Sequence, residues 1–376
     1  MSDARVVHRI EDIAPQAWDA LVSDTGFYES HGWLRGQQRP EFAAPAYLCL
    51  ERDGALVAAV PTYEFPPENA PPLPAVAAGR KVLRVGTRTG YHNEFLVDES
   101  AGTAEDRRQL VAELLEFTAE YAAGRGYDTL LFDCLTTDSL RTVTGLFPAR
   151  AQLRTAEAVV HNEGGTFASY RKMLGRNVLN RDKEMRRFEK AGLRLETGPL
   201  SQSVDELAPL IGQTMDRYGA GLDLGEIRTF LSEQARALDA DSVVFRCVDE
   251  SGRLLGGNVS FVWRDSLYFR VAGFDYDRTG KANEYFNAVF YGPVKYMEQE
   301  GLKTLHVGLA SLEAKVRRGA SLHPIWSCAV DLPLTRGVKV DRDLRADLAL
   351  MDSVREEAGA GMDAGEWDME AALRPS

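Results

Sequence analysis

The sequence predicts an α/β fold present in two tandem copies, each a mixed central sheet flanked by helices. The first observation is the stretch from Leu267 to Leu309. Tyr268, Arg270 and Ala272 alternate with Phe269 and Val271 as in a strand, and Phe286, Val289, Phe290, Pro293, Val294 and Met297 then recur at helical spacing behind Asn283. Gly301 stops that pattern, and a second strand, Thr304 to Leu309, follows. Strand, helix and strand with short joints form a crossover unit, whose ligand sits at the carboxyl ends of the strands. The second observation is a repeat: Gly126-Tyr127-Asp128-Thr129-Leu130-Leu131 recurs as Gly301-Leu302-Lys303-Thr304-Leu305-His306, each after a helical run. The third is a hairpin ahead of each copy, turning at Asp53-Gly54 and at Ser251-Gly252.

The elements follow in order. Trp18 and Leu21 mark an early helix, and Gly26 to Leu34 is an aromatic turn leading into another. Ala46 to Leu50 and Ala55 to Val60 form the first hairpin, and Phe65 to Leu73 carries four prolines and reads as a loop. Arg84 to Phe95 is polar, aromatic and loop-like; a helix over Ala104 to Ala123 and a strand over Thr129 to Cys134 close the first copy, residues 1–157. The second copy, residues 158–335, opens with a single predicted helix, Phe167 to Lys190, with Leu174, Val178, Met185 and Phe188 on one face. Its other faces are crowded with cations, among them Arg171, Arg176, Arg181, Arg186 and Lys190. After Gly192 come a strand at Leu193 to Glu196, helices over Val204 to Arg217 and Glu226 to Ala237, and a hairpin from Val243 to Val262. Residues 336–376 read as an acidic tail with one helix, Leu344 to Glu357, and a loosely held end.

Composition narrows the function. A chain of 376 residues with 44% hydrophobic content buries full cores in two or more domains. No run of about 18 apolar residues exists for a membrane span, and the N-terminus lacks the apolar stretch of a secretory signal, so a cytoplasmic protein with no membrane partner is expected. The four cysteines, Cys49, Cys134, Cys247 and Cys328, lie far apart in apolar runs, as reduced core residues do. A net charge of −12 speaks against indiscriminate binding to DNA or anionic membranes, while leaving room for a local basic patch.

The two strand ends, Gly273 to Tyr276 and Gly308 to Ser311, put several groups at the crevice mouth, and the second runs directly into Lys315, Arg317 and Arg318. Arg317 and Arg318 are placed to hold a phosphate by paired hydrogen bonds, or one of them to make a structural ion pair. Asp275 either acts as a general base or caps its own turn. His306, between Leu305 and Val307, is either a half-buried strand histidine or a general base. Tyr276, Asn283, Tyr285 and Asn287 surround the same mouth as candidate residues for a second substrate, or as core residues in the case of the aromatics, and Tyr91 and His92 of the first copy either line an acceptor pocket or belong to a loop with a packing cluster. There is no metal-ligand spacing, phosphate-binding glycine loop or nucleophile elbow, so the chemistry expected is direct attack without a covalent intermediate.

Three stretches together resemble the Fem-type branch of the Gcn5-related N-acetyltransferase (GNAT) superfamily, the FemAB-like and BioF2-like acyltransferases. They are the basic segment ending Lys190-Ala191-Gly192, the run from Phe274 to Gly308, and the closing Glu313-Ala314-Lys315-Val316-Arg317-Arg318-Gly319-Ala320-Ser321-Leu322-His323-Pro324. The resemblance covers about Ser169 to Trp326 and implies tandem GNAT-like domains, the first degenerate, that transfer an acyl group to an amine of a small molecule or peptide in natural-product or cell-wall peptide biosynthesis. It implies no tightly bound cofactor. Fem-type relatives take an aminoacyl group from aminoacyl-tRNA; acyl-coenzyme A is the alternative co-substrate, and a non-catalytic ligand-binding protein is the alternative outside enzymes. It further implies that Lys315 lies against the transferred carbonyl and stabilises its oxyanion, and that Arg176 and Arg181, on a basic segment fitted to a tRNA acceptor stem, bind the donor. The coenzyme A pyrophosphate loop of ordinary acetyltransferases reads Arg/Gln-x-x-Gly-x-Gly/Ala. Here the turn reads Arg270-Val271-Ala272-Gly273-Phe274-Asp275, with Arg270 as a donor-binding candidate and a carboxylate where the loop needs a small residue.

Overall fold

The computed structural model describes residues 2–100, 102–219, 221, 223–363 and 365–368. It divides into two compact units, Met1–Glu157 with His323–Ser376, and Ala158–Leu322.

The first unit opens with β1 (Asp3–Val7), α1 (Pro15–Asp19) and α2 (His31–Gly36). Trp18, Phe27, Tyr28 and Trp33 are fully buried beside Tyr47, and the Trp18 indole N–H donates to the Glu29 carbonyl at 2.7 Å. The hairpin β2 (Ala44–Arg52) and β3 (Ala55–Glu64) forms as the alternating pattern requires, followed by β4 (Val82–Val85), β5 (Leu96–Val97), α3 (Ala104–Gly124), β6 (Thr129–Leu135) and α4 (Thr137–Leu146). Thr103 and Asp106 close a capping box that starts α3. β4 runs parallel to β6, from Val82 beside Thr129 to Val85 beside Phe132.

β7 (Ala149–His161) carries the chain into the second unit, which continues with α5 (Phe167–Met173), α6 (Val178–Lys190), β8 (Arg194–Gly198), α7 (Val204–Arg217) and α8 (Leu224–Leu238). Next come β9 (Ser242–Val248), β10 (Leu254–Trp263), β11 (Ser266–Phe274), α9 (Glu284–Phe286), a π-helical turn at Asn287–Tyr291, α10 (Gly292–Glu300), β12 (Thr304–His306) and α11 (Leu312–Val316). The sheet order is β8-β9-β10-β11-β12, with the end of β7 against β12; only β11 and β12 are parallel. The repeat in the sequence is thus a repeat of structure. Each Gly-initiated hexapeptide leads from a helix into a strand with an earlier parallel neighbour, β4 for β6 and β11 for β12, although β5 intervenes between β4 and α3.

Three expectations are corrected. The basic segment is two helices, because Gly175 takes a left-handed conformation (φ 51°) and a short 3-10 turn separates them. The strand after Gly301 ends at His306 rather than Leu309, because Val307 N–H turns to the Ala158 carbonyl at 2.9 Å. The chain leaves the second unit at Leu322 rather than near 335: β13 (Ser321–Asp331) pairs with β6 of the first unit from Trp326 beside Leu135 to Asp331 beside Thr129. β14 (Val340–Asp341) lies parallel to the start of β7, and α12 spans Leu344–Ala358. The expectation for the chain end beyond residue 368 lies outside the described residues. All four cysteines are free and buried, and burial pushes the Cys49, Cys247 and Cys328 thiols up to about 12. No helix among the described residues is long and apolar enough to cross a membrane.

Candidate active site

The second unit has an opening between its two parallel strands. Their register holds for three pairs, Ser266 beside Thr304 through Tyr268 beside His306. Beyond His306 the chain follows β7, with Ala158 N–H donating to the Gly308 carbonyl at 3.1 Å, while β11 continues beside β10 to Phe274. The two chains part there, as a ligand crevice at strand carboxyl ends requires. Helix α7 crosses the end of β11 so closely that a Cβ on Gly273 would lie 2.3 Å from Ile211 N and 2.5 Å from the Leu210 carbonyl carbon. Gly273 is therefore set by packing.

The turn after β11 is closed on itself. Asp275 N–H donates to the Leu255 carbonyl at 2.9 Å, Asp277 N–H to the Asp275 carboxylate at 3.2 Å, and Arg278 and Thr279 N–H to the Asp275 carbonyl at 3.1 and 2.9 Å. Gly280 and Ala282 N–H donate to the buried Glu284 carboxylate at 3.0 and 3.2 Å. Five of these donors, from Asp277 to Ala282, are spent on Asp275 and Glu284, and the Asp275 N–H is spent on β10. Asp275 accepts within its own turn, as a cap does.

Lys315, 4% exposed, sits on α11, and its carbonyl accepts from Arg318 N–H at 2.8 Å and Ala320 N–H at 3.2 Å. Arg318 is 3% exposed. Its Nη2 reaches both Glu184 oxygens at 3.0 and 2.9 Å, Nη1 donates to the Ala314 carbonyl at 2.7 Å, and Nε donates to the Tyr291 hydroxyl at 3.2 Å. The guanidinium also stacks on the Phe286 ring, 3.1 Å from its centroid. The Tyr291 hydroxyl donates to Glu184, and the Tyr170 hydroxyl to the Arg318 carbonyl at 2.9 Å. Burial is the first cause holding both phenols well above their usual range. Arg181 pairs with the same Glu184 at 3.0 Å. Arg318 makes the structural ion pair that is the alternative expectation for one of the two arginines, and Arg181, expected at the donor, shares the same Glu184 carboxylate. Arg317 is exposed and pairs with Glu313 one turn earlier, and Arg176 is exposed in the turn between α5 and α6.

His306 is 5% exposed and stacks on its strand neighbour Tyr268, with centroids 4.1 Å apart and planes 8° from parallel. Arg270 lies over the Phe230 ring of α8, at 5.7 Å. Tyr276 and Asn283 lie on the connection from β11 to α9, Tyr285 on α9 itself and Asn287 at the start of the π-helical turn. Arg217 stacks on Tyr276 at 4.6 Å, Tyr285 is 37% exposed against Phe274, and Asn283, left-handed at φ 63°, accepts from the Asn287 side chain at 2.9 Å. On α6, Lys183, Arg186, Arg187 and Lys190 face outward without an ion-pair partner among the described residues, whereas Arg171 pairs with Asp182 at 2.5 Å.

Tyr91 and His92 belong to the first unit. Tyr91 packs edge-on against Tyr28, at 5.4 Å. Both His92 nitrogens meet acceptors, the Glu157 carboxylate at 2.8 Å and the Thr25 carbonyl at 2.8 Å, so the ring holds two protons. Burial opposes that charge, but Glu157, with Glu29 and Glu94 behind it, pushes His92 up to about 10; Glu29 itself is held well above the carboxylate range by burial. Expected to bind an acceptor, His92 is an internal ion-pair partner. In this unit the opening between the parallel strands is filled. Asn93 donates to the Asp133 and Cys134 carbonyls at 2.7 Å each and accepts from Thr87 N–H at 2.5 Å.

Sequence reasoning missed Glu184, Tyr291 and Arg217. Glu184 had a signal, a carboxylate three residues after Arg181 within a cationic helix. Tyr291 had none, since only the π-helical turn brings it to Glu184.

No protein-family model matches the chain, and no curated protein matches it in sequence. Solved structures do. FemX is similar at 14% identity with a TM-score of 0.59, over 87% of this chain and 97% of FemX. L-PGS from Bacillus licheniformis is similar at 12% identity and TM-score 0.54, over 92% of this chain and 96% of that one. A conserved protein of unknown function from Bacteroides thetaiotaomicron gives 10% identity and TM-score 0.57, over 88% of this chain and all (100%) of that one. At these identities the likeness is one of fold, and it extends through both units.

Proposed function

We propose that this chain, which has the FemX-like tandem GNAT fold, is an acyltransferase that forms an amide by passing an aminoacyl group from aminoacyl-tRNA to the amine of a small molecule or peptide. The observation that carries the choice of donor is the turn after β11, where the N–H groups of Asp277, Arg278, Thr279, Gly280 and Ala282 donate to Asp275 and Glu284. Those N–H groups are not available to a coenzyme A pyrophosphate. The unpaired cations Lys183, Arg186, Arg187 and Lys190, with Arg176 at the head of the helix, suit the backbone phosphates of a nucleic acid.

In the reaction the neutral acceptor amine attacks the carbonyl carbon of the aminoacyl ester, forming the C–N bond and placing negative charge on the carbonyl oxygen. Lys315 supplies a fixed cation to that oxygen. Collapse breaks the bond to the terminal ribose, whose oxygen takes the proton released by the nitrogen, leaving an amide and free tRNA. Lys315 is nearly buried, and low local dielectric strengthens such a charge. Tyr276, Tyr285 and Asn287 line the acceptor side, Arg317 and Arg176 the donor side, and the first unit, its crevice filled by Asn93, holds no donor. A charged tRNA donor places the reaction in the cytoplasm, in natural-product or cell-wall peptide biosynthesis. The test is incubation with a charged tRNA pool and a panel of small amines and peptides, read by mass spectrometry for a ribonuclease-sensitive amide. A product made from acetyl-CoA instead would replace this donor with the acyl-coenzyme A reading.

A further inference from the structure

We infer that Glu184 is a positioning residue for Lys315, acting through Arg318; the inference rests on the role given to Lys315 above. The peptide groups on both sides of Lys315 are tied to one residue. The Ala314 carbonyl accepts from the Arg318 guanidinium at 2.7 Å, and the Lys315 carbonyl accepts from the Arg318 N–H at 2.8 Å. The orientation of α11 at Lys315 therefore follows the orientation of Arg318.

What orients Arg318 lies elsewhere in the sequence. Its Nη2 is held by both oxygens of Glu184, on α6, 134 residues away. Its Nε donates to the Tyr291 hydroxyl, which donates in turn to the same Glu184 carboxylate. The three groups form a closed ring with one charged acceptor as its hub, and its donor directions are fixed: a guanidinium can only donate, and a tyrosine whose oxygen already accepts from Nε has its proton free for the carboxylate. Phe286 under the guanidinium and Tyr170 on the Arg318 carbonyl leave the ring no second arrangement. Removing the charge at Glu184 without changing its size leaves Arg318 buried with a neutral partner and lets the turn relax. Lys315 then keeps its place in the chain and loses its aim.

The test is a double-mutant cycle on the full chain, read as protein-dependent deacylation of labelled aminoacyl-tRNA, with thermal unfolding as the check on folding. Glu184→Gln is expected to lower the maximal rate at least tenfold while leaving half-saturation by tRNA within twofold. Tyr291→Phe, which keeps the aromatic side chain and removes the two hydrogen bonds of its hydroxyl while leaving the Arg318–Glu184 pair, is the second variant and is expected to lower the rate about threefold. In a Lys315→Ala background both substitutions are expected to have no further effect, because the group they aim is gone. Losses that multiply in the two backgrounds, or a Glu184→Gln protein with the wild-type rate, overturn the inference while leaving the proposed function standing. Full activity in Lys315→Ala overturns the inference together with the role given to Lys315, whereas a wild-type protein that does not deacylate aminoacyl-tRNA overturns the proposed function.

Discussion

Arg318 Nη2 spans the two oxygens of Glu184 at 3.0 and 2.9 Å, with 4% and 15% of the two side chains exposed. Breaking a buried pair leaves a charge without its partner, which costs roughly 3–5 kcal/mol. Arg318→Ala leaves Glu184 its pair with Arg181 at 3.0 Å, so it is expected to lower unfolding stability in urea titration by less than that but by more than about 1 kcal/mol. Its neighbour Arg317 is 63% exposed on an exposed pair with Glu313, so Arg317→Ala is expected to change stability by less than about 0.5 kcal/mol. Equal losses for the two would show that burial does not separate their roles.

Lys315 is the cation assigned to the oxyanion. Removing one preorganised oxyanion-stabilising group costs about a hundredfold to a thousandfold in rate. Single-turnover deacylation of labelled aminoacyl-tRNA by Lys315→Ala is expected to fall in that range, with tRNA affinity in filter binding nearly unchanged. A fall in affinity with an unchanged rate would move Lys315 from chemistry to binding.

The outward cations of α6 give a salt-dependent prediction. Each phosphate that a side chain neutralises on a duplex contributes about 0.9 to the slope of log affinity against log salt. Charge removal at Lys183, Arg186 and Arg187 together is expected to weaken tRNA binding and flatten that slope by up to about three. An unchanged slope would take the helix out of the donor site.

His92 links stability to pH. Its pKa is raised to about 10 in the folded chain by Glu157, against the cost of burial, and is about 6.5 when unfolded. The stabilisation is therefore complete below about pH 6.5 and is lost progressively as pH rises toward about 10. Urea unfolding from pH 6.5 to 9.5 is expected to show falling stability in the wild type. In His92→Gln the slope is expected to be flatter, with lower stability at pH 7. A parallel slope in the variant would contradict the charged pair.

The long-period patterns are legible in the sequence. Helical spacing from Phe286 to Met297, the turn at Gly301 and the Gly-initiated repeat locate the crossover unit and its partner copy, because apolar periodicity and glycine punctuation are local properties of the chain. Lys315 stands out by its place after a strand end. What the sequence hides depends on contacts across long separations. Arg318 reads as available because its partner Glu184 lies on another element, and one left-handed glycine, Gly175, splits a helix whose apolar face runs on unbroken. His92 reads as a pocket residue until Glu157 stands beside it.

The most direct test of the central claim is a donor comparison: purified protein with labelled aminoacyl-tRNA pools and, separately, labelled acetyl-CoA, scored for binding and for deacylation with ribonuclease as control. The expected result is ribonuclease-sensitive binding and release from one aminoacyl-tRNA, with no saturable acetyl-CoA binding. Saturable acetyl-CoA binding without any tRNA response would contradict it, and the self-satisfied turn at Asp275 would then have to open to receive the pyrophosphate.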